Sequence, residues 1–266
     1  YDKNQCHSSN PDVHDKTMGR IFKITHENDK FTKVDLCKAT DMELVNYQLH
    51  RNEYYVRQAR TILQERGGNN AVNAALKDIL NKNPDVTRKL RALWTLQVVK
   101  GISEKELRDL LTHADENIRS WAIQFLTEKK TVSEETLASF ETLARSEKSP
   151  LVRLYLTSGM LRLEASNRWN VLEMLTKNEM DASDQNMPLM LWYASEPLAE
   201  LDPNRAIILA EKSKMPKMLN YMIQRVGAIQ NEESKKALKA LSLRLGHSHE
   251  NHENMMLIEK ILETNH

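Results

Sequence analysis

A short proline-containing segment recurs along this chain, and its repetition constrains the fold more than any other feature. The clearest copies, with the sequences S-P-L-V-R-L-Y, M-P-L-M-L-W-Y and M-P-K-M-L-N-Y, are Ser149–Tyr155, Met187–Tyr193 and Met215–Tyr221. Each copy places an apolar residue two positions after the proline and a tyrosine three positions later. Because proline has no N–H to donate, it suits the first position of a helix. We therefore expect helices to begin at Pro150, Pro188 and Pro216.

Weaker copies of the same pattern lie upstream and begin at Tyr54, Pro84 and Glu116. Successive copies, from residue 54 to residue 216, are then 30, 32, 34, 38 and 28 residues apart. A unit of this length that repeats along a chain is typical of a helical solenoid, in which each unit packs only on its neighbours. The pattern predicts that Tyr155, Tyr193 and Tyr221 occupy equivalent positions on the second helices of successive helix pairs.

The composition fits one large folded domain or one repeat array. The 266 residues include only seven glycines and seven prolines, which is few for a β-rich fold with many tight turns. Lys and Arg together number 38 and Asp and Glu 37, so the net charge of +1 gives no electrostatic reason to expect nucleic acid or an anionic membrane as partner. No run of about 18 apolar residues predicts a membrane span. We expect the chain to be part of a longer protein whose address signal lies upstream.

From residue 39 to residue 266 the apolar residues recur at the spacing of amphipathic helices, and short connections predict antiparallel neighbours. The fold class that this predicts is all-α, an α–α superhelix of about six or seven helix pairs, with a short extended or β segment before it. The predicted helices cover residues 40–49, 52–66, 70–82, 84–100, 133–146, 150–164, 168–180, 188–201, 216–229, 231–245 and 254–263, and others begin after Ser103, Asp115 and Asp202.

Residues 1–38 have a different pattern. Gly19–Thr25 alternates apolar and polar residues, which is typical of a half-buried strand, and residues 31–36 are a second candidate. A two-stranded ribbon is marginal alone, so this segment needs the helical part or a sheet outside the chain. Cys6 and Cys37 either pair with each other or remain two separate thiols.

Residues 115–122, D-E-N-I-R-S-W-A, resemble the signature of HEAT repeats. In HEAT arrays the Asp and the Arg of this motif, here Asp115 and Arg119, link adjacent repeats through a ladder of hydrogen bonds. The residues that stand near the position of Arg119 in the other copies are Arg91, Arg153, Leu191 and Leu219. The resemblance therefore implies a ladder that is intact in the early repeats and lost in the late ones.

Three stretches together resemble one family of large secreted bacterial proteins, and they are Tyr1–Ile24, Asp41–Gly67 and Asn186–Leu198. In that family a β-propeller similar to sugar dehydrogenases precedes a HEAT array, and a cytochrome c domain with a C-x-x-C-H motif often follows. The resemblance implies that residues 1–38 close the propeller and that residues 39–266 are the HEAT-like domain. It also implies a periplasmic, cell-envelope or secreted location.

The chain departs from the family at the haem motif, because Lys3 stands where the first cysteine before Cys6 and His7 would be. The resemblance thus implies no cofactor in this chain and haem c only in a following domain. One hypothesis is a non-catalytic scaffold or protein-interaction domain of a dehydrogenase, whose partners are the neighbouring propeller and cytochrome domains or another protein. The alternative is part of an oxidoreductase that passes electrons from a sugar-like substrate to haem, with its catalytic groups outside this chain.

Two groups of polar residues are candidate metal sites. His247, His249 and His252, near Glu250 and Glu253, include ligand types for zinc or copper, and the other interpretation is a solvated loop. The N-terminal group is either a metal or catalytic set or ordinary turn chemistry, and it comprises His7, Asp12, His14 and Asp15. No catalytic residue is predicted.

Methionine and tryptophan residues fall mostly at helix-core spacing, which favours packing over soft metal ligation. An exposed tryptophan that anchors a partner is the alternative for one of the four. The residues in question are Met174, Met190, Met218, Met222, Trp94, Trp121, Trp169 and Trp192.

We predict that the purified chain binds no haem and oxidises no sugar, because the residues offer no haem-attachment motif and no trio of nucleophile, base and charge-stabilising group at neighbouring repeats. The measurement is a titration with haem and a sugar panel with an artificial electron acceptor. A Soret band that survives gel filtration, or acceptor reduction above a heat-killed control, would contradict the prediction.

Overall fold

The computed structural model describes residue 10 and residues 21–27, 33–246 and 251–264, and the chain divides into two units, Tyr1–Asp35 and Leu36–His266. In the first unit, residues 21–26 have no regular secondary structure, and the side chains of Ile21, Phe22 and Ile24 are exposed. No β-strand occurs among the described residues of the chain. The strand predicted within Gly19–Thr25 is therefore not formed over residues 21–25, because a strand forms only by pairing with a second strand, and no strand occurs among the described residues.

The second unit is helical over its described length. Its α-helices are α1 Asp41–Asn46, α2 Glu53–Arg66, α3 Asn70–Lys82, α4 Val86–Val98, α5 Glu104–Asp109, α6 Glu116–Leu126, α7 Glu134–Ser146, α8 Pro150–Met160, α9 Trp169–Leu175, α10 Met187–Ser195, α11 Leu198–Leu201, α12 Pro203–Lys212, α13 Met218–Ile229, α14 Glu232–Leu245 and α15 His252–Thr264. Short 3₁₀ helices cover Leu36–Lys38, Tyr47–Leu49, Leu110–Thr112, Ala165–Asn167 and Glu179–Asp181. The predicted all-α class is confirmed for the described residues.

Side-chain caps set most of the helix beginnings. Thr40 and Ser103 each form the predicted capping box with the glutamate three residues later. Asp202 accepts the backbone N–H of Arg205 and places Pro203 first in α12, as the sequence predicts. Gly67, with a φ of +78°, ends α2 in a backbone region that other residues rarely adopt.

Two of the proline-based helix starts are wrong. Before α4, the Asp85 carboxylate accepts the backbone N–H of Thr87, so Asp85 is the cap and Pro84 lies outside the helix. Before α13, Lys217 has a left-handed backbone with a φ of +60°, so the helix begins at Met218 and Pro216 precedes it in a turn. Pro150 is the first residue of α8 as predicted, whereas Pro188 is the second residue of α10.

Several predicted helices are shorter than expected. The helix predicted over residues 188–201 is interrupted after Ser195, because Pro197 has no N–H for the bond to residue 193 and its ring crowds that carbonyl. The helix predicted over residues 150–164 ends at Met160, and the one predicted over 168–180 covers only α9 and a separate 3₁₀ turn. In α1 and α5 the last turn tightens into 3₁₀ geometry, which is common at helix ends.

Packing joins each helix to its near neighbours along the chain. Among the second helices, α2 contacts α4, α4 contacts α6, α6 contacts α8, and α8 contacts α10. Among the first helices, α1 contacts α3, α7 contacts α9, and α12 contacts α14. The apolar faces between these layers form one buried core that extends from Leu36 to Ile258. Within the described ranges, no helix is long and apolar enough to cross a membrane.

We predict that Phe140→Ala lowers the free energy of unfolding by about 3–5 kcal/mol, because Phe140 is fully buried in α7 and the surrounding core cannot collapse completely. The matched control is Phe125→Ala in α6, whose ring is only partly buried and whose loss we expect to cost about 1–2 kcal/mol. Urea unfolding of both variants is the measurement. Equal losses would contradict the assignment of the core.

Candidate interaction surface

The second helices carry partly exposed aromatic side chains, which we call the aromatic ridge. The ridge comprises Trp94 in α4, Trp121 and Phe125 in α6, Tyr155 in α8, Trp192 and Tyr193 in α10, and Tyr221 in α13. Tyr193 is the most exposed of them, with 56% of its surface accessible. Of the four tryptophans, only Trp169 in α9 is buried, so core packing is confirmed for Trp169 and is partial for the other three.

Two of the three ring contacts within the ridge cross from one second helix to the next. The Trp94 and Trp121 rings meet edge to face with centroids 5.1 Å apart, and Phe125 lies 5.4 Å from Trp121. Farther along the chain, Trp192 and Tyr221 are 5.4 Å apart. Such pairs stabilise by about 0.5–1.5 kcal/mol beyond the area they bury. The aromatic contacts therefore hold the second helices together while part of each ring remains accessible.

A cation lies at the N-terminal end of the ridge. The Arg60 guanidinium is 5.3 Å from the centroid of the Trp94 ring, a cation–π arrangement. Desolvation lowers the pKa of Arg60, and the Glu53 carboxylate opposes that shift. Trp94 Nε1 is buried without a hydrogen-bond partner among the described residues.

The three tyrosines that define the sequence repeat all lie on second helices, but at different distances from the helix start. Tyr155 is the sixth residue of α8, Tyr193 the seventh of α10 and Tyr221 the fourth of α13. The difference at Tyr221 arises because α13 begins after the left-handed Lys217 and not at Pro216. The equivalence of the three positions in successive units stays a prediction. In α10 it is Trp192, rather than Tyr193, that contacts the next second helix.

A chain of charged hydrogen bonds links consecutive helix pairs between α6 and the 3₁₀ turn Glu179–Asp181. The Arg119 guanidinium donates to both carboxylate oxygens of Glu147 at 2.8 Å. Arg153 donates to the backbone carbonyl of Glu147 at 3.1 Å and to both carboxylate oxygens of Asp181 at 2.6 and 2.5 Å. The Arg153 and Asp181 side chains are each only 2% exposed. We call these four residues the charge ladder.

The acidic members of the charge ladder differ from those predicted. Asp115 accepts the backbone N–H groups of Asn117 and Ile118, so its carboxylate caps its own helix and is not the partner of Arg119. Glu147 and Asp181 take the predicted role, and sequence reasoning missed both. A signal for them exists, since each lies 28 residues after its arginine.

Elsewhere in the array the same task falls to other residues. Arg91 pairs with the Glu53 carboxylate and donates to the His50 carbonyl at 2.8 Å, so it links backward along the chain. At the later positions Leu191 is fully buried and Leu219 is half-buried, and neither side chain has a hydrogen-bond donor. Arg225 there bridges Glu196 and Glu200 instead.

Two carboxylates that link units have depressed pKa values. Burial opposes ionisation of Glu147, but hydrogen bonds from Arg119 and the Ser149 N–H outweigh it and lower its pKa. For Glu106, partial burial is likewise outweighed by the Lys77 ammonium and the Ser103 hydroxyl and N–H, and its pKa falls to about 2. The Lys77 Nζ atom lies 2.5 Å from Glu106, so this pair connects α3 with α5.

Cys6 and most of the predicted metal candidates lie outside the described residues, and these candidates are His7, Asp12, His14, Asp15, His247, His249 and Glu250. His252 is exposed at the first position of α15, and Cys37 is exposed. No group of three or more His, Cys, Asp or Glu residues with metal-binding geometry occurs in the part of the chain that the structure describes. The His247–His252 site and the Cys6–Cys37 pairing stay predictions.

The methionines are mostly packing residues. Met218 and Met222 are buried, Met174 packs partly buried against the core, and Met190 is half-exposed.

The chain matches no protein-family model and no curated protein.

We predict that Arg153→Met lowers the free energy of unfolding by about 3–5 kcal/mol, because it leaves the Asp181 carboxylate buried without its partner. The double variant Arg153→Met with Asp181→Leu removes both charges and loses less. A control at the half-exposed pair of Arg244 and Glu211, Arg244→Met, costs about 0–1 kcal/mol. Guanidinium unfolding of Arg153→Met, Asp181→Leu and the double variant provides the measurement. If the double variant loses as much stability as the two single variants together, the result would refute a buried charge pair.

We predict that Glu106→Gln reduces the dependence of stability on pH between about 4.5 and about 2. The pKa of Glu106 is depressed in the folded state, so the stability it contributes is present above its unfolded pKa and is lost as the pH falls toward about 2. The control is Glu259→Gln on the exposed side of α15. Thermal unfolding as a function of pH is the test, and identical pH profiles for wild type and Glu106→Gln would count against the assignment.

Proposed function

We propose that residues 36–264 form an α–α solenoid of the HEAT or armadillo type. Neighbour-only packing of second helix on second helix supports this proposal, since each unit of a solenoid contacts only the units next to it. The charge ladder supports it as well, because Arg119 and Arg153 each link consecutive units across the same interval.

On this scaffold, the proposed function is non-catalytic protein binding. The observation that carries it is the aromatic ridge, which keeps seven aromatic residues partly exposed on the second helices. Tyrosine and tryptophan are the residues that most often anchor protein interfaces, because they offer large apolar area and a polar atom at low entropic cost. Most large apolar side chains of the helical unit are buried in its core, so a row of partly exposed rings is a departure that needs an explanation.

The resemblance to the secreted propeller, HEAT and cytochrome proteins supplies the proposed setting. In that setting, the array lies in the periplasm, in the cell envelope or outside the cell, and its ridge holds the neighbouring domains or a separate protein. The parent protein would be the dehydrogenase. The alternative, in which this chain is itself part of an electron-transfer route from a sugar-like substrate, stays a prediction based on the same resemblance.

Photo-crosslinking in the full-length parent protein, expressed in its native cell, tests the proposed function. Benzoylphenylalanine replaces Tyr155 or Tyr193 on the ridge, and a matched control replaces Leu243 on the first helix α14, which is 86% exposed. We expect adducts with a defined protein or with another domain of the parent from the two ridge positions only. Trp192→Ala, which removes the neighbouring ring, should reduce the adduct from position 193.

Absence of adducts from both ridge positions, or equal yields from position 243, would overturn the proposed function. Circular dichroism of the Trp192→Ala variant separates loss of binding from loss of folding. Helical content at the wild-type level is expected, because the Trp192 ring is half-exposed and lies at the edge of the core.

A further inference from the structure

A cleft lies between α5 and α7, on the first-helix side of the array, and takes no part in the proposed function. It has a volume of about 530 Å³, and its lining comes from α5, the 3₁₀ turn Leu110–Thr112, α6 and α7, with Lys148 at one end. Volumes of this size are typical of small-molecule sites in proteins. We call it the α5–α7 cleft.

The cleft exists because its two walls have different lengths. Helix α5 has six residues and then tightens into the 3₁₀ turn Leu110–Thr112, whereas α7 has 13 residues. The second half of α7 therefore extends past α5 and exposes the side chains of Ser139, Thr142 and Ser146 toward the opening. These three residues are spaced by three and four positions, which places them on one face of the helix.

Charge distinguishes this cleft from a second cleft of similar size. The α5–α7 cleft is lined by three cationic side chains and one carboxylate, which gives a net charge of +2. The other cleft, about 550 Å³ between α12 and α14, has Lys236 against Asp202 and Glu233, a net charge of −1. Because a concave site focuses the field of the charges that line it, the first cleft attracts an anion and the second repels one.

Hydrogen-bond donors for an anion are present in the α5–α7 cleft. Lys148 is exposed and makes no ion pair among the described residues. Arg108 lies at the other end of the cleft, where its guanidinium is 3.4 Å from the hydroxyl of Ser133, the N-cap of α7, and 3.8 Å from the Glu104 carboxylate. His113 Nδ1 accepts the backbone N–H of Asp115 at 2.9 Å, so the neutral ring carries its proton on Nε2 and donates from there.

Arg119 contributes charge rather than free donors. Its guanidinium is engaged by Glu147 and by the carbonyls of His113 and Ala114. The Arg119 side chain is 15% exposed and the Glu147 side chain 5%. An anion in the cleft therefore meets Lys148 and His113 first, with the Arg119–Glu147 pair as a fixed wall.

The uncharged residues that line the cleft determine what the uncharged part of the ligand must be. The hydroxyls of Ser139, Thr142 and Ser146 donate to carbonyls of their own helix at 2.8, 3.0 and 3.2 Å. Only their lone pairs remain, so they accept hydrogen bonds but do not donate them to a ligand. Leu111 and Leu143, 3% and 9% exposed, supply an apolar floor.

We propose that the α5–α7 cleft binds a small organic anion with an apolar body and an N–H or O–H donor near the charged group. The sulfonate or carboxylate pairs with Lys148 beside the Nε2–H of His113, the apolar body covers Leu111 and Leu143, and the donor meets the hydroxyls of α7. This proposal is independent of protein binding at the aromatic ridge, which lies on the second helices.

The probe is 8-anilinonaphthalene-1-sulfonate, which combines a sulfonate, fused aromatic rings and an N–H. Its uncharged counterpart without the sulfonate, N-phenyl-1-naphthylamine, is the matched ligand control. We expect the full chain to bind the sulfonate compound more tightly, and Lys148→Glu to weaken that binding about five- to tenfold with little effect on the uncharged compound. Arg108→Glu should act in the same direction.

The matched protein control is Lys236→Glu in the second cleft, where the same charge reversal should leave sulfonate binding unchanged. Fluorescence titration at two salt concentrations is the measurement, and added salt should weaken wild-type binding more than Lys148→Glu binding. Lys148 is exposed, so circular dichroism should show the variant folded. Equal affinity for the two compounds, an unchanged affinity in Lys148→Glu, or equal losses in Lys148→Glu and Lys236→Glu would each overturn the proposal.

Discussion

Burial of one helix face against the next helix is the constraint on which the helical unit depends. The helices are amphipathic and short, so none of them is stable as an isolated helix in water. Each one excludes water from its apolar face only by packing between the helices before and after it, as α6 does between α4 and α8. The core is consequently one cluster to which nearly every helix contributes, and Leu44 in α1 is as fully buried as Ile258 in α15.

The second requirement is that buried polar groups between the units find hydrogen-bond partners, because the connections between helices place carbonyls and charges in buried positions. Arg153 shows how the fold meets this requirement: one buried guanidinium satisfies the carbonyl of Glu147 and both oxygens of Asp181. Arg168 does the same without a carboxylate, since it donates to the carbonyls of Leu163 and Ala194 in a buried setting. Desolvation lowers the pKa of Arg168, which is the electrostatic cost of that arrangement.

The helical class and most helix boundaries could be predicted from the sequence, because local chemistry sets them. Thr40, Ser103 and Asp202 cap helices with their own side chains, and such caps depend on residues a few positions apart. Pro84 and Pro216 were harder, since a proline suits several positions near a helix start and the neighbouring Asp85 and Lys217 decide between them.

The partners of the ladder arginines could not be predicted from a motif alone. Whether Arg119 meets Asp115 or Glu147 depends on how far the next unit is displaced along the array, and sequence spacing does not give that displacement. The α5–α7 cleft has the same origin, because it results from the unequal lengths of two helices that are not adjacent in sequence. For the aromatic ridge, the sequence predicts at most one exposed tryptophan, because half-exposed rings have the same spacing along a helix as core residues.

The end of the charge ladder at Asp181 has a mechanical consequence. Up to that residue, neighbouring units are joined by two bidentate arginine–carboxylate links whose side chains are at most 15% exposed. Beyond it the buried Leu191 replaces the arginine, and the link from Arg225 to Glu196 and Glu200 is more exposed to water, which weakens it. Helix α10 also ends at Ser195, just before Pro197, and has nine residues where α7 has 13. When the two ends of the array are pulled apart, we expect it to yield at this junction, with residues 36–181 remaining as one stiff segment and the later helices shifting past it.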